Sequence, residues 1–113
     1  MATTAVARVW AVEYETEVKP LLRERCYACH GALKQEGGLR LDTVTGILAG
    51  GESGPVAVAG DGEGSLLVRR VATSDVSDRM PPEHEGEAFK ASEVGVLRAW
   101  IGAGAAGPAD EEP

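Results

Sequence analysis

Large aromatic side chains are scarce in this chain, although its backbone is rich in glycine. Only 4% of the 113 residues are aromatic, whereas glycine occurs 15 times. A chain of this length forms one small domain, and so few bulky side chains leave that domain short of core-forming groups. We therefore expect something other than side chains to fill part of the core.

Positive charge and long apolar runs are also in short supply. The chain has 11 basic and 18 acidic residues, which give a net charge of −7. This balance, with no cluster of Lys and Arg, argues against nucleic acid and anionic membrane surfaces as partners. The apolar stretches are shorter than the ~18 residues that cross a bilayer. The first residues, MATTAVARVW, lack the pattern of a secretion signal.

The sequence predicts helices joined by long loops. Apolar residues at helical spacing indicate four helices, and we expect a kink or restart of the first at Pro20. Asp42 or Thr43 is the predicted N-cap of the second helix and Ser65 that of the third. No segment alternates for long enough to form a sheet. The predicted helices span 13–29, 43–49, 65–72 and 92–102, and the predicted loops span 50–64 and 73–87.

These elements form a single predicted domain of residues 13–105. An N-terminal extension, residues 1–12, precedes it. The tail that follows, residues 106–113, is small, acidic and contains proline, which predicts a disordered segment or a linker.

The most specific pattern in the chain is Cys26-Tyr27-Ala28-Cys29-His30, at the predicted end of the first helix. A C-x-x-C-H run is typical of c-type haem attachment. Two thiols about one helical turn apart can each bond to a vinyl group on one edge of a porphyrin, and the adjacent imidazole then points at the iron. A buried haem would also supply the apolar core area that the side chains lack. We therefore expect one haem c, with His30 as an axial ligand.

The same two cysteines have other possible uses. A thioredoxin-like redox pair needs a βαβ context that the sequence lacks. A structural zinc ion takes four ligands, and besides Cys26 and Cys29 the chain offers only His30 and His84 unless carboxylates are used. A disulfide between the cysteines would leave a small binding or structural module without haem.

An electron-transfer haem needs a second axial ligand, for which three side chains are candidates. Met80 lies in the run RMPP, where two prolines stiffen the following backbone and suit a thioether held in a fixed place. His84 lies in an acidic segment, and Met1 stands at a chain terminus, where fraying is common. We predict Met80 as the ligand, with His84 or an open sixth position as alternatives.

Several segments together resemble the planctomycete-type cytochrome c domain family, within the class I cytochromes c. The resemblance covers residues 14–105 and rests on YETEVKPLLRERCYACHG, GGLRLDT, GGESGPVAVAGDGEGSLLVRR, RMPP and LRAWIGAGA. It implies an all-α, class I cytochrome c-like fold of about four short helices and long loops around one covalent haem. It also implies that His30 and Met80 are the axial ligands, and that the N-terminal helix crosses the C-terminal helix that carries Trp100.

The chain departs from the family pattern in two places. The run GDGEGS lacks the proline that often precedes its serine, which predicts a looser loop. Gly95 interrupts the last helix at a cost of about 1 kcal/mol relative to alanine. We expect it to mark either a close helix approach or a contact with the haem neighbourhood.

Further haem contacts are predicted from residue type. Apolar residues in segments that face the core are expected to line the haem: Leu39, Leu41, Leu67, Pro82 and Leu97. Arginine matches a carboxylate with two parallel hydrogen bonds, so Arg40 and Arg69 are the preferred candidates for the haem propionates, ahead of Arg79. His30 is expected to donate its second ring N–H to a carbonyl in the loop 31–41.

These expectations describe an electron carrier and not an enzyme. A thioether ligand raises the reduction potential, and both ligands stay bound while one electron is exchanged. The acidic surface predicts a redox partner, or an adjoining catalytic domain, with a basic docking face. The alternative is a haem-based sensor or enzyme with a labile or open sixth ligand. Because the resemblance implies export, we expect a periplasmic or equivalent location although the chain shows no signal sequence.

Overall fold

The computed structural model describes residues 12–112. The predicted extension of residues 1–12 therefore lies outside the described residues, apart from Val12, which packs against the core. A π-helical turn, Tyr14–Val18, leads into helix α1, Lys19–Arg25. The predicted break at Pro20 is confirmed, because the proline occupies the first turn of α1, where its missing N–H costs no helical hydrogen bond.

Helices α2, Val44–Ala49, and α3, Leu66–Ala72, match their predicted ranges closely. The Thr43 hydroxyl caps α2 by accepting a hydrogen bond from the Gly46 N–H at 3.0 Å. Ser65 precedes α3 as predicted, but its side chain does not cap the helix. Its Oγ instead accepts from the Val58 N–H at 2.9 Å and donates to the Asp61 carbonyl at 2.7 Å, so it fastens the preceding loop.

The last helix, α4, spans Ala91–Gly102. It begins slightly before the predicted start, and a Glu93 carboxylate oxygen accepts from the Lys90 N–H at 2.8 Å in its first turn. Gly95 does not mark a close approach: a Cβ built on it would meet no atom within 4 Å. The predicted close helix approach is therefore wrong, because the core lies on the side of Leu97 and Ile101. Contact of Gly95 with the haem neighbourhood stays a prediction.

The described part of the chain is all-α. Its four α-helices are accompanied by short 3₁₀ turns at Glu36–Gly38 and Glu83–Glu85. Residues 12–112 contain no strand, only three isolated bridging pairs. None of the described helices is long and apolar enough to cross a membrane.

Helix α4 is the centre of the packing. The π-helical turn lies against it, with the rings of Tyr14 and Trp100 stacked at 5.3 Å, and α3 also packs on it. The two ends of the domain therefore meet, as the resemblance implied. The core is built from buried residues of these elements, chiefly Tyr14, Val18, Leu22, Leu67, Val68, Val71, Val94, Leu97, Trp100 and Ile101.

The C-terminal segment, predicted to be a disordered tail or linker, lies against the domain. The Trp100 indole N–H donates to the Ala106 carbonyl at 3.0 Å. Further along, the Glu111 carboxylate accepts hydrogen bonds from the Tyr14 hydroxyl, the Lys19 ammonium and the Val44 N–H. Composition alone missed this because the anchor is a single acidic side chain among exposed neighbours.

Candidate functional site

A cleft of about 230 Å³ opens beside the turn that follows α1. One wall comes from that turn, a second from α3, and the rest from the loops around Leu39, Val56 and Met80. The surface of the cleft is mostly apolar. The cleft therefore lies where distant parts of the chain converge.

The C-x-x-C-H run forms a tight turn at the edge of this cleft. The Cys26 carbonyl accepts hydrogen bonds from the N–H groups of Cys29, at 3.2 Å, and His30, at 2.9 Å. A Cβ at Gly31 would overlap the Tyr27 carbonyl oxygen, so glycine lets the chain leave the turn at this point. Cys26, Cys29 and His30 all line the cleft, whose wall continues directly from the turn.

The two cysteines are free thiols, and Cys26 is buried whereas Cys29 is half-buried. Burial raises the pKa of the Cys26 thiol to about 12, and the nearby Arg25 guanidinium offsets this only in part. Cys26 is therefore a neutral thiol near pH 7 and not a thiolate. No disulfide joins the pair in the structure, although their positions three residues apart left that alternative open.

His30 has a buried ring nitrogen with no hydrogen-bond partner. Its Nδ1 finds none among residues 12–112, so the predicted donation to a carbonyl of the loop 31–41 is wrong. Several carbonyls of the loop accept from other donors: Gly31 and Ala32 accept from the Gln35 amide, and Lys34 accepts from the Gly31 N–H. A buried nitrogen without a hydrogen-bond partner is costly in a protein interior, so the polypeptide leaves this polar atom of His30 unsatisfied.

Met80 lies in the same cleft, although it is far along the chain from the C-x-x-C-H turn. Its backbone N–H donates to the Arg70 carbonyl at 2.9 Å, which fastens the Met80 segment to the end of α3. Met80, Pro81 and Pro82 all line the cleft. His84 does not: its side chain is 80% exposed and stands 3.6 Å from the Glu85 carboxylate. Met1, the third candidate, lies outside the described residues.

The apolar wall includes most of the residues that the sequence predicted. Leu39, Leu41, Leu67 and Pro82 line the cleft. Leu97 does not; it is fully buried in the core, on the face of α4 that packs within the domain. Val56, Leu66 and Val71 also line the cleft and were not predicted to do so. Leu66 and Val71 could have been found from the helical spacing of the apolar residues in α3.

Comparison with known families gives a decisive match. The model of the planctomycete cytochrome C family matches residues 26–84, a segment that contains the C-x-x-C-H turn and Met80. The chain belongs to the planctomycete cytochrome C family. Neither the curated proteins nor the solved structures give a match to it. Family membership indicates haem-based electron transfer and implies haem c as the cofactor.

The residues that converge on the cleft fit the cofactor of a planctomycete cytochrome C. Two free thiols, the His30 imidazole and the Met80 thioether face one apolar space. A c-type haem takes two thioether bonds, an axial histidine and an apolar surround. Among the described residues, no group of three or more His, Cys, Asp or Glu side chains is arranged to hold a metal ion directly.

The predicted arginines are not the ones that this cytochrome domain turns towards its cleft. Arg40 forks onto the buried carboxylate of Asp42, with Nε and Nη2 at 3.1 and 2.5 Å from its oxygens. Arg69 is exposed, and neither it nor Arg40 lines the cleft. Arg79 donates to the carbonyls of Pro81 and Gly86.

Arg25 and Arg70 line the cleft instead, and sequence reasoning missed both. Residue type could not separate them from the other arginines, because all carry the same charge. Their positions in the fold make the difference. Arg25 directly precedes Cys26, and Arg70 lies on the exposed edge of α3 next to the cleft.

Proposed function

We propose that this chain is a c-type cytochrome domain that transfers one electron through a single haem. Cys26 and Cys29 would hold the haem through thioether bonds, and His30 and Met80 would be its axial ligands, within a class I cytochrome c-like arrangement. The observation that carries the proposal is the convergence of these four side chains, from two distant segments, on one apolar cleft. The haem supplies one-electron exchange between Fe(III) and Fe(II).

The residues of the cleft would favour electron transfer with little rearrangement. The Cys26 carbonyl holds the backbone of His30, and the Arg70 carbonyl holds the backbone of Met80, so both ligands start from fixed positions. The apolar lining disfavours the extra positive charge of the oxidised iron and keeps water away from the site. Together with a thioether ligand these features support a positive reduction potential.

The partner and the cellular location belong to the same proposal. A net charge of −7 supports a redox partner, or an adjoining domain of a larger redox protein, with a basic docking face. The domain would act as an electron carrier and not as an enzyme. Membership of a cytochrome c family supports an exported, periplasmic location.

The ligation is tested by spectra of the protein made with the haem-attachment machinery. A pyridine haemochrome assay identifies covalent haem c, and a weak far-red band in the oxidised protein reports sulfur ligation. We expect Met80→Ala to abolish the far-red band, lower the midpoint potential and allow rapid CO binding to the reduced form. His84→Ala is the matched control and should change none of these properties.

Each contrary result has a definite meaning. An unaltered protein that lacks the far-red band and binds CO rapidly only after His84→Ala, and not after Met80→Ala, would assign the sixth position to His84. Rapid CO uptake by the unaltered protein would support a sensor or enzyme with a labile or open sixth position. Protein without any haem would remove the basis of the proposal.

A further inference from the structure

Arg70 combines three features that no other charged residue of the described chain combines. It lines the cleft, its side chain has an unoccupied hydrogen-bonding edge, and its backbone holds the segment of the proposed axial ligand Met80. Haem carries two propionate carboxylates, which need cationic or hydrogen-bonding partners once they leave bulk water. The cleft must therefore offer a place for negative charge.

The charged lining of the cleft leaves few choices. Its anionic members are Glu24, Glu36 and Glu85, which would repel a carboxylate, and its cationic members are Arg25 and Arg70. A propionate would accordingly be drawn to one of the two arginines and away from the glutamates.

Arg25 is already committed to other groups. Its Nη2 lies 3.2 Å from both carboxylate oxygens of Glu93, and its Nη1 donates to the Glu87 carbonyl at 3.4 Å. Its guanidinium also lies over the Phe89 ring, 5.0 Å from the centroid. These contacts use the guanidinium to join the end of α1 to the start of α4.

Arg70 has donors left over. Only its Nη1 is engaged within residues 12–112: it donates to the Asp78 carbonyl at 3.1 Å and lies 3.8 Å from the Asp78 carboxylate. The edge formed by Nε and Nη2 makes no hydrogen bond there. Two parallel N–H groups on one edge of a guanidinium match the two oxygens of a carboxylate.

We propose that Arg70 binds a haem propionate through its Nε and Nη2 edge while Nη1 retains the Asp78 carbonyl. Arg70 would then be a positioning residue that joins the haem edge to the segment leading to Met80. This inference rests on the proposed haem-binding function. Arg70 takes the role that the sequence predicted for Arg40 or Arg69. Arg40 is held by Asp42, and Arg69 is exposed and does not line the cleft.

The test compares Arg70→Gln with Arg69→Gln in the haem-loaded protein. Both variants remove one positive charge from α3, but only Arg70 lines the cleft. Loss of Arg70 leaves the propionate charge unneutralised, which favours the oxidised iron and lowers the midpoint potential. At a fixed potential we expect the ratio of reduced to oxidised protein to fall about two- to tenfold in Arg70→Gln, with a clearly smaller change in Arg69→Gln. A tenfold change corresponds to about 59 mV for one electron.

Two further readouts separate a propionate contact from a merely structural role. The far-red band of the oxidised protein should persist in Arg70→Gln, because Met80 is held through the Arg70 backbone. Arg70→Lys keeps the charge but cannot form the two-bond fork, so it should restore part, and not all, of the potential. Equal potentials for Arg70→Gln and Arg69→Gln would overturn the inference, as would a shift accompanied by loss of the far-red band.

The outcome is distinguishable from failure of the proposed function. If the unaltered protein carries covalent haem, equal potentials in the two variants remove only the assignment of Arg70. If Arg70→Gln fails to accumulate with haem, Arg70→Lys and Arg69→Lys provide the comparison. Lysine cannot form the two-bond fork, so haem in Arg70→Lys should show a lower potential than in Arg69→Lys, and equality would again overturn the assignment.

Discussion

At the scale of single residues, Arg40 is engaged by another part of the protein and not by the cleft, because its guanidinium donates two hydrogen bonds to Asp42. The Asp42 carboxylate is buried, with its side chain only 2% exposed, and Arg40 supplies both of its side-chain hydrogen bonds in the described structure. A buried carboxylate that loses such a partner bears the full cost of desolvation. The role of Arg40 is therefore to satisfy Asp42.

We expect Arg40→Gln to lower the free energy of unfolding of the haem protein by about 1–3 kcal/mol, because Asp42 loses its charged donor. The midpoint potential should stay close to that of the unaltered protein. Denaturant unfolding and redox titration measure the two quantities. The opposite pattern, an unchanged stability with a shifted potential, would show that Arg40 contacts a haem propionate as the sequence predicted.

At the scale of elements, the helices show where local sequence was sufficient and where it was not. Thr43 caps α2 as predicted, because an N-cap depends on residues within one turn. Ser65 stands at an equivalent place before α3, yet its hydroxyl serves the loop at Val58 and Asp61. That choice depends on how the loop packs, which the local pattern does not contain.

Gly95 gives a prediction at this scale. Because a Cβ at this position meets no atom within 4 Å, alanine should gain its full helical advantage. We expect Gly95→Ala to raise the free energy of unfolding by about 1 kcal/mol, measured as a higher thermal midpoint of a few degrees.

The matched control is Gly46→Ala, in helix α2. There a Cβ would lie 2.8 Å from the Arg40 carbonyl oxygen, so the same substitution should destabilise the protein. Destabilisation by Gly95→Ala would instead show that α4 makes a close approach at this position in the haem protein.

At the scale of the whole molecule, the Glu111 carboxylate ties the C-terminal segment to the first helical elements of the described chain. Its side chain is only 5% exposed and accepts hydrogen bonds from Tyr14, Lys19 and the N–H of Val44, at the start of α2. Burial alone would raise the pKa of Glu111, but these hydrogen bonds and the Lys19 charge outweigh it, so the pKa is lowered. Burial and the hydrogen bond to Glu111 also raise the pKa of Tyr14.

A lowered pKa in the folded protein makes stability depend on pH in a definite direction. The unfolded chain takes up the proton first as the pH falls, so the contribution of Glu111 is complete above the ordinary glutamate value of 4.5 and is lost as the pH falls through the lower folded value. We expect Glu111→Gln to lower the free energy of unfolding by about 1–3 kcal/mol at pH 7. The variant should also lose less stability than the unaltered protein below about pH 4.5.

Tyr14→Phe is the control for this experiment. It removes one of the hydrogen bonds that lower the pKa of Glu111 but keeps the carboxylate and the stacking on Trp100, so it should lower stability and flatten the acid profile less than Glu111→Gln does. Thermal unfolding from about pH 3 to pH 7 measures both effects. If Glu111→Gln and the unaltered protein showed parallel profiles, the C-terminal segment would not be held by this carboxylate.

The sequence by itself determined the parts of this protein that depend on neighbours along the chain. The spacing of Cys26, Cys29 and His30 fixes a turn that the backbone completes with its own hydrogen bonds. The same logic placed the four helices, except that the first ends at Arg25 and not at Cys29 as predicted. Met80 was identified from its proline context, and the structure places it in the cleft with the C-x-x-C-H turn.

Only the tertiary structure decided which equivalent side chains face the cleft. Arg40, Arg69 and Arg70 carry the same charge in similar contexts, and the buried Asp42 and the orientation of α3 separate them. The docking of Glu111 is decided in the same way, by partners far away in sequence. The physical reason is that a turn or cap forms from contacts within a few residues, whereas the partner of a long charged side chain is chosen by which distant groups the fold brings within hydrogen-bond distance.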